Sequence, residues 1–382
     1  MNFMGYHRED GQIGVRNHVI VMSTVSCINP VTEQIAKATG AIPITHGCGF
    51  GQTEEDYHKT QWSLARYAEN PNVAAVFVVG LGCEQIDAER LVEEIKGKPT
   101  GFVRTSEEGE NSSLAQGIRE VREMILSASR LQREEAPLSK LILNVQCGGS
   151  DTTSGLASNP AVGAAADLLI EEGGTVLLEV AAFGEHRLLK NVADRKVVDA
   201  LWTATDKEAE KDRRLTTVRG INPTPGNIRQ GLTTLTEKRL GGIMKGGNTP
   251  LKGVLSYKEK PPGPGLYHVT GTDYIGFTDV TEATMRLLSG SQINCFTTGC
   301  GQPMGLAIAP VIKINGNPMN FEKNRENMDI NASTILYGEE TIEKVGKRIF
   351  EEMIEVANGN LTRSEIMGHR DFVLGTFASA QH

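Results

Sequence analysis

The sequence lacks the patterns that mark several common classes of protein. It has no apolar run of about 18 residues, the length that a transmembrane helix needs. It has no CxxC pair, no HExxH, no GxSxG and no GxxxxGK[ST], and no GxGxxG follows the first predicted strand. These absences argue against membrane spans, the usual zinc and iron–sulfur spacings, α/β-hydrolases, P-loop enzymes and nicotinamide dinucleotide folds.

Aromatic residues are scarce and positive charge does not predominate. Aromatics make up 5% of the chain, and 39 Lys and Arg face 47 Asp and Glu, for a net charge of −8. This charge disfavours nucleic-acid and anionic-membrane partners. The start, MNFMGYHREDGQIGVRN, is too polar for a signal peptide, and six cysteines without an export signal are typical of reduced thiols. We therefore expect a cytoplasmic protein.

Apolar runs alternate with helical patterns along most of the 382 residues, a length that suits two domains. The predicted strands are HVIVMSTV (18–25), AIPITHG (41–47), VAAVFVVG (73–80), TGFVRT (100–105), LILNVQ (141–146), TVLLEV (175–180), INCFTT (293–298) and AIAPVIKING (307–316). This alternation predicts an α/β protein with two Rossmann-like parallel-sheet domains. A charged, proline-containing segment at 133–139 interrupts the pattern and predicts domain bounds of 1–135 and 136–382. The Gly- and Pro-rich segment 220–264 predicts long ordered loops around a site, mainly on the C-terminal domain.

Reactive side chains stand at the ends of the predicted strands or directly after them. They are Cys27, His46, Cys48, Cys83, Glu84, Cys147, Glu179, Thr297, Thr298 and Cys300. The carboxyl ends of parallel strands share one edge, where open α/β sheets bind their ligands. Any one cysteine is readily explained as a small buried apolar side chain, but the whole glycine-flanked set favours a functional site.

Two kinds of ligand site are open at these positions. Gly148, Gly149, Ser150 and Asp151 form either an anion pocket before a helix or a plain strand-to-helix turn. His46, Glu84, Glu179, Glu185 and His186 offer the mixed nitrogen and oxygen donors that iron or manganese accepts. The thiols of Cys48, Cys83 and Cys147, with Cys27, are further candidate metal ligands. An iron–sulfur cluster held by these thiols is the less favoured alternative.

Long motifs carry a resemblance that covers nearly the whole chain. They include GYHREDGQIGVRNHV, THGCGFGQ, GLGCEQ, QCGGSDTTSGLASNPAVGAAADLL, FGEHRLL, NPTPGNIRQGLTTLTEKRLGGIMKGG, FTTGCGQP and MDINAS. With these motifs the chain resembles the large catalytic region of the altronate/galactarate dehydratase family, enzymes that remove water from sugar acids. The resemblance implies Fe²⁺ as the metal, with Mn²⁺ as the alternative.

The resemblance also implies a partner. Family dehydratases typically carry a small SAF-type domain before this region, whereas this sequence begins at the large region. A separate small subunit, or a function without one, is implied. The related sulfolactate sulfo-lyases are split in this way and eliminate sulfite from a sulfonated hydroxy acid. We also expect an oligomer.

Roles can be assigned for a reaction that starts by removing the proton next to a carboxylate. The catalytic candidates are His46, Glu84, Glu185, His186 and Lys245. The candidates for binding substrate are Ser150, Asp151, Asn222, Asn227, Thr297 and Thr298, and those for binding metal are His46, Glu179, Cys48, Cys83 and Cys147. The alternatives are a helix cap for His186 and a solvated loop position for Lys245.

The chain departs from the family pattern in three places that bear on the substrate (FTTGCG, TDYIGFTD and VAAFGEH), and the first of them replaces an arginine. The family usually reads FTTGRG where this chain has FTTGCG, so Cys300 replaces an arginine able to clamp a carboxylate. This predicts altered specificity. Three readings compete with sugar-acid dehydration: sulfite elimination, a non-catalytic sugar-acid-binding subunit, and a redox protein with a cysteine-bound cluster.

Overall fold

The computed structural model describes residues 1–178, 192–215, 222–270 and 278–375, without the side chains of 205–206 and 208–215. Its strands are β1 (Asn2–His7), β2 (Ile13–Gly14), β3 (His18–Ser23), β4 (Ile42–Ile44), β5 (Val73–Gly80), β6 (Thr100–Arg104), β7 (Glu134–Pro137), β8 (Ile142–Cys147), β9 (Thr175–Leu178), β10 (Leu251–Ser256), β11 (Gly265–Thr270), β12 (Ile293–Thr297), β13 (Val311–Asn315) and β14 (Ile330–Asn331).

The α-helices connect these strands. They are α1 (Asn29–Thr39), α2 (Glu54–Ala68), α3 (Ala88–Glu94), α4 (Thr105–Glu108), α5 (Glu110–Ser129), α6 (Asn159–Glu171), α7 (Arg195–Leu215), α8 (Pro225–Arg229), α9 (Leu235–Ile243), α10 (Asp279–Leu288), α11 (Pro318–Lys323), α12 (Ile342–Asn358) and α13 (Arg363–Ile366). Within the described ranges, no helix is long and apolar enough to span a membrane.

The first part of the chain builds a parallel four-stranded sheet in the order β4-β3-β5-β6. Every residue of β5 is buried. Phe77 on one face packs with residues of α1 and α5, and Val78 on the other packs with residues of α2 and α3. A strand covered on both faces has no polar side, which explains its continuous apolar sequence.

The second part builds a parallel seven-stranded sheet in the order β10-β11-β9-β8-β12-β13-β14. Leu143 and Ile312 share an apolar cluster with residues of α6 and α12 on one face. Since β8, β12 and β13 are neighbours and run in the same direction, their carboxyl ends lie together at the middle of one edge.

A small antiparallel sheet, β2-β1-β7, joins the amino terminus to the segment between the two large sheets. The predicted break at 133–139 therefore contains a paired strand, β7. The domain boundary at 135/136 stays a prediction.

The α/β class and the eight predicted strands are confirmed. The prediction of loops through 220–264 is wrong, because α8, α9 and β10 lie in that segment. Several of its Gly and Pro residues stand at the ends of these elements, so their abundance did not reveal the helices and the strand between them. Pro225 is the first residue of α8, directly after the N-cap residue Thr224, and proline is well tolerated at this position.

One apolar cluster belongs to both large sheets. Leu64 and Tyr67 of α2 and Leu91 of α3 lie in the same buried cluster as Tyr267 of β11 and Phe296 of β12. The four-stranded and seven-stranded parts therefore share a hydrophobic core.

Candidate functional site

The loops that follow β8 (148–153, the β8 loop) and β12 (298–302, the β12 loop) are in direct contact. The backbone N–H groups of Gly299 and Cys300 both donate to the carbonyl oxygen of Gly149, over 3.1 and 3.0 Å. Gly149 has φ +55°, and a Cβ built there would lie 2.1 Å from Cys300 Sγ. Only glycine therefore allows the two loops to approach this closely.

Asp151 is buried in the β8 loop with its carboxylate fully occupied. Oδ1 accepts hydrogen bonds from Ser154 N, Ser154 Oγ and Thr153 Oγ1, and Oδ2 accepts one from Asn317 Nδ2 over 2.8 Å. A Cβ on Gly299 would lie 2.1 Å from its Cγ. Asp151 thus organises the loop and the adjoining helical turn. Its predicted contact with substrate stays a prediction.

Ser150 and Asn227 are brought together. Asn227 Nδ2 donates to the Ser150 carbonyl oxygen over 2.7 Å, while Asn227 Oδ1 caps α8 by accepting from Thr224 N. Ser150 is 4% exposed. The capping box of α8 therefore sets the position of the β8 loop.

Lys238 adds a cation to this group, and the sequence analysis missed it. Its Nζ donates to Asn222 Oδ1 over 3.1 Å and to Asn227 Oδ1 over 3.3 Å. Lys238 is half-buried on α9, and these two partners are neutral amides. Its place in the TLTEKRLGG motif was the available signal.

Thr297 and Thr298 are both completely buried at the end of β12. Thr297 Oγ1 donates to Asn159 Oδ1 over 2.6 Å, which ties β12 to α6. Thr298 Oγ1 accepts from Gln302 N over 3.1 Å and retains its own O–H for a further acceptor. Of these two side chains, Thr298 is the one with a hydrogen-bond donor left over, but it is shielded from solvent, so its contact with substrate stays a prediction.

His46 lies at the edge of the four-stranded sheet and uses both of its ring nitrogens. Nε2 is 2.9 Å from the Ser23 carbonyl oxygen, and Nδ1 accepts from Cys48 N over 3.1 Å. Burial lowers the pKa of His46 to about 4, which keeps the ring neutral. In this arrangement neither nitrogen offers a lone pair to a metal.

Glu84 is also occupied by its own part of the fold. Oε1 accepts from Thr24 Oγ1 over 2.6 Å and from Leu81 N over 2.9 Å, and Oε2 accepts from Gly82 N. No hydrogen bond in the described part of the chain joins Glu84 or His46 to the β8 and β12 loops. Their predicted catalytic roles stay predictions.

The described residues do not by themselves form a metal site. No three His, Cys, Asp or Glu side chains among them converge in a way that could hold an ion. All six cysteines are free thiols, and burial together with nearby Asp56 raises the pKa of Cys48, which opposes the metal-binding thiolate form. Cys83 is exposed and Cys147 half-buried.

Three predicted residues, Glu179, Glu185 and His186, lie outside the described residues. Lys245 is completely buried in a short 3-10 helix, Met244–Gly246, rather than in a solvated loop. A Cβ on the adjacent Gly246 would lie 3.1 Å from Leu178 at the end of β9. Lys245 thus belongs to the packed interior beside the seven-stranded sheet.

Comparison with known protein families identifies the chain along most of its length. Residues 138–379 match the model described as D-galactarate/Altronate dehydratase, C-terminal. Residues 5–129 match the model described as D-galactarate dehydratase/Altronate hydrolase, second domain.

Curated relatives cover nearly all of the chain. The (2R)-sulfolactate sulfo-lyase subunit beta of Chromohalobacter salexigens is 36% identical over 97% of this chain and 96% of its own length. The altronate dehydratase of Bacillus subtilis is 32% identical over 95% of this chain and 75% of its own. The galactarate dehydratase (L-threo-forming) of Escherichia coli is 33% identical over 94% of this chain and 73% of its own length.

Proposed function

Because the chain belongs to the D-galactarate/altronate dehydratase family, we propose that it is the large subunit of a lyase that eliminates water from a sugar acid. The product is a 2-keto-3-deoxy acid. Relatives named as dehydratases match 94% or more of the chain at 30–33% identity, which supports this class of reaction.

The reaction has two proton transfers. A base removes the proton from the carbon next to the carboxylate, and the electron pair passes to an enediolate. An acid then protonates the hydroxyl on the adjacent carbon, which leaves as water, and the enol formed tautomerises to the ketone. The enzyme must hold the carboxylate and stabilise the negative charge that develops on it.

The observation that carries this proposal is the convergence of polar groups from β8, β12 and α8. Asn227 holds Ser150, the β8 loop contacts the β12 loop, and Lys238 lies beside Asn222 and Asn227. Lys238 supplies a cation for the carboxylate, while the amides and the Thr298 hydroxyl suit the hydroxyl groups of a sugar acid.

For proton transfer we favour residues other than His46 and Glu84, because the polar atoms of these two side chains already make hydrogen bonds within their own loops. Glu185 and His186 are therefore our acid–base candidates, and Lys245 is a buried candidate for stabilising the enediolate. These assignments keep three of the five catalytic candidates predicted from the sequence.

A divalent metal, Fe²⁺ or Mn²⁺, remains part of the proposal on the family resemblance alone. Since the described residues do not fit a metal site, none of the steps above depends on one. When bound, such an ion would neutralise charge on the substrate carboxylate.

Sulfite is a second candidate leaving group. The relative named (2R)-sulfolactate sulfo-lyase subunit beta is 36% identical and matches this chain over 97% of its length and 96% of the relative's own, whereas the dehydratases are matched over 73–76% of theirs. The designation of that relative as a beta subunit implies another subunit. We therefore propose that this chain also acts with a separate small subunit.

The assay must separate the two leaving groups. Purified protein, with Fe²⁺, reductant and any small subunit encoded beside it, is given C5 and C6 aldonates and aldarates or sulfolactate. A semicarbazide-reactive 2-keto acid without sulfite supports dehydration, and free sulfite supports the second candidate. Ligand-induced thermal stabilisation with neither product would contradict both and favour a binding subunit.

A further inference from the structure

Two asparagines after β13 connect the three segments that hold the candidate substrate residues. They belong to the sequence INGNPMN (314–320), which carries no titratable side chain. Asn317 donates to Asp151 in the β8 loop. Asn320 reaches the β12 loop and the end of α8.

The contacts of Asn320 are specific. Its Nδ2 donates to the Gly299 carbonyl oxygen over 2.8 Å and to Gln230 Oε1 over 3.2 Å. A carbonyl oxygen can only accept, so the Asn320 side chain must present its NH₂ group here. The backbone of Asn320 is fixed in turn, since its N–H donates to Asn317 Oδ1 over 3.1 Å and its carbonyl accepts from Asn324 Nδ2 over 2.8 Å.

Gly299 is the point where these constraints meet. Its N–H donates to Gly149 on one side, and on the other its carbonyl accepts from Asn320 over 2.8 Å and, more weakly, from Asn315 over 3.4 Å. It has no room for a side chain, because a Cβ there would overlap Asp151. The peptide between Thr298 and Cys300 is therefore held from both sides.

We propose that Asn320 is a positioning residue that sets the orientation of Thr298 and Cys300 toward the β8 loop. Asn320 contacts no reacting group itself and acts through the Gly299 carbonyl and through Gln230, three residues after Asn227. The kinetic consequence of this inference rests on the proposed function, whereas its structural consequence does not.

The variants separate the two contacts of Asn320. Asn320→Asp keeps the size of the side chain but loses the NH₂ donor, so it faces the Gly299 carbonyl with a second acceptor, while a rotated Gln230 amide can still donate to it. Asn320→Ala loses both contacts, and Asn320→Gln retains a donor. Asn358→Ala is the matched control, because Asn358 accepts from Met4 N over 2.8 Å, far along the chain from these loops.

The first readout is independent of turnover. Alkylation of Cys300, followed by mass spectrometry, should become at least about threefold faster in Asn320→Asp than in wild type or Asn358→Ala, because the β12 loop is released. The exposed thiols of Cys27 and Cys83 are internal references and should react at unchanged rates. Unchanged alkylation of Cys300 in both Asn320→Asp and Asn320→Ala would overturn the inference.

The second readout is kinetic. We expect kcat/KM to fall about 10- to 100-fold in Asn320→Asp, mainly through KM, and to recover in part in Asn320→Gln. If kcat/KM falls no further in Asn320→Asp than in Asn358→Ala, and lower thermal stability accounts for the whole decrease, Asn320 has only a structural role. If wild type forms neither a keto acid nor sulfite while Cys300 still becomes more reactive, the proposed function fails and the positioning role stands.

Discussion

Asn317 donates its side-chain amide to the carboxylate of Asp151 over 2.8 Å and thereby joins the segment after β13 to the loop after β8. The two residues are 166 positions apart in sequence. Strand β12 lies between β8 and β13, so this bond crosses over the β12 loop. The middle of the sheet edge therefore behaves as one assembly of three loops.

Replacing Asp151 tests that assembly. In Asp151→Asn the new NH₂ group must face a donor on Asn317 or on Ser154, so at least one buried hydrogen bond is lost. We expect the free energy of unfolding in urea to fall by about 1–3 kcal/mol, with loss of activity. Asp194→Asn is the control, because Asp194 Oδ1 accepts from the backbone N–H groups of Lys196 and Val197 at the start of α7, and asparagine caps a helix equally well. Equal stability of the two variants would contradict the prediction.

Lys238 is expected to bind the substrate carboxylate. Lys238→Ala should raise KM about 10-fold or more with a smaller change in kcat, because the charge is lost in both ground and transition states. Lys196→Ala, an exposed lysine on α7, is the control. If Lys238→Ala has the same KM as wild type, the substrate carboxylate does not bind to Lys238.

The stability of the protein should decrease in mild acid partly through His18. Burial, with a contribution from the Arg16 charge, lowers the pKa of His18 to about 4 from the ordinary 6.5. Between pH 6.5 and 4 the unfolded chain binds a proton at His18 and the folded chain does not. The free energy of unfolding is therefore not reduced by His18 above pH 6.5, and it decreases as the pH falls toward 4.

Urea titrations at several pH values check this dependence. His18→Gln should flatten the decline between pH 6.5 and 4 by about 1–3 kcal/mol in total. The same replacement at His58, whose side chain is 62% exposed, is the control. An unchanged slope in His18→Gln would show that other groups cause the acid sensitivity.

Metal content distinguishes His46 from Glu179. Because both ring nitrogens of His46 serve its own loops, His46→Asn should retain as much bound iron or manganese as wild type after anaerobic purification. Glu179→Gln should lose metal and turnover. Metal loss only in His46→Asn would show that His46 rearranges to bind the ion. An absence of metal in wild type, with unchanged turnover in Glu179→Gln, would remove the metal from the proposal.

The strands were predictable because burial leaves a direct trace in sequence. A strand such as β5, covered on both faces, must be apolar throughout, and its end determines where the following Cys83 and Glu84 lie. The Gly and Pro content of 220–264 did not predict its helices, because the residues that interrupt helices also occur where helices begin and end.

The contacts within the site were not predictable in this way. Asp151 and His46 attracted attention as reactive groups, yet their polar atoms are used by neighbouring backbone and side chains. Asn317 and Asn320 were not predicted as site residues, because a neutral amide is not a typical reactive group and the partners of these two residues are distant in sequence. Such roles depend on which loops meet at a sheet edge, and periodicity alone contains no information about that.

The apolar cluster that includes Leu64, Tyr67 and Leu91 together with Tyr267 and Phe296 has a practical consequence. A fragment ending after Ser129 would expose to water the residues of this cluster that pack against the seven-stranded part, and the complementary fragment would expose their partners. We expect both fragments to aggregate more readily than the intact chain, and heating the intact chain should melt both sheets in a single cooperative transition.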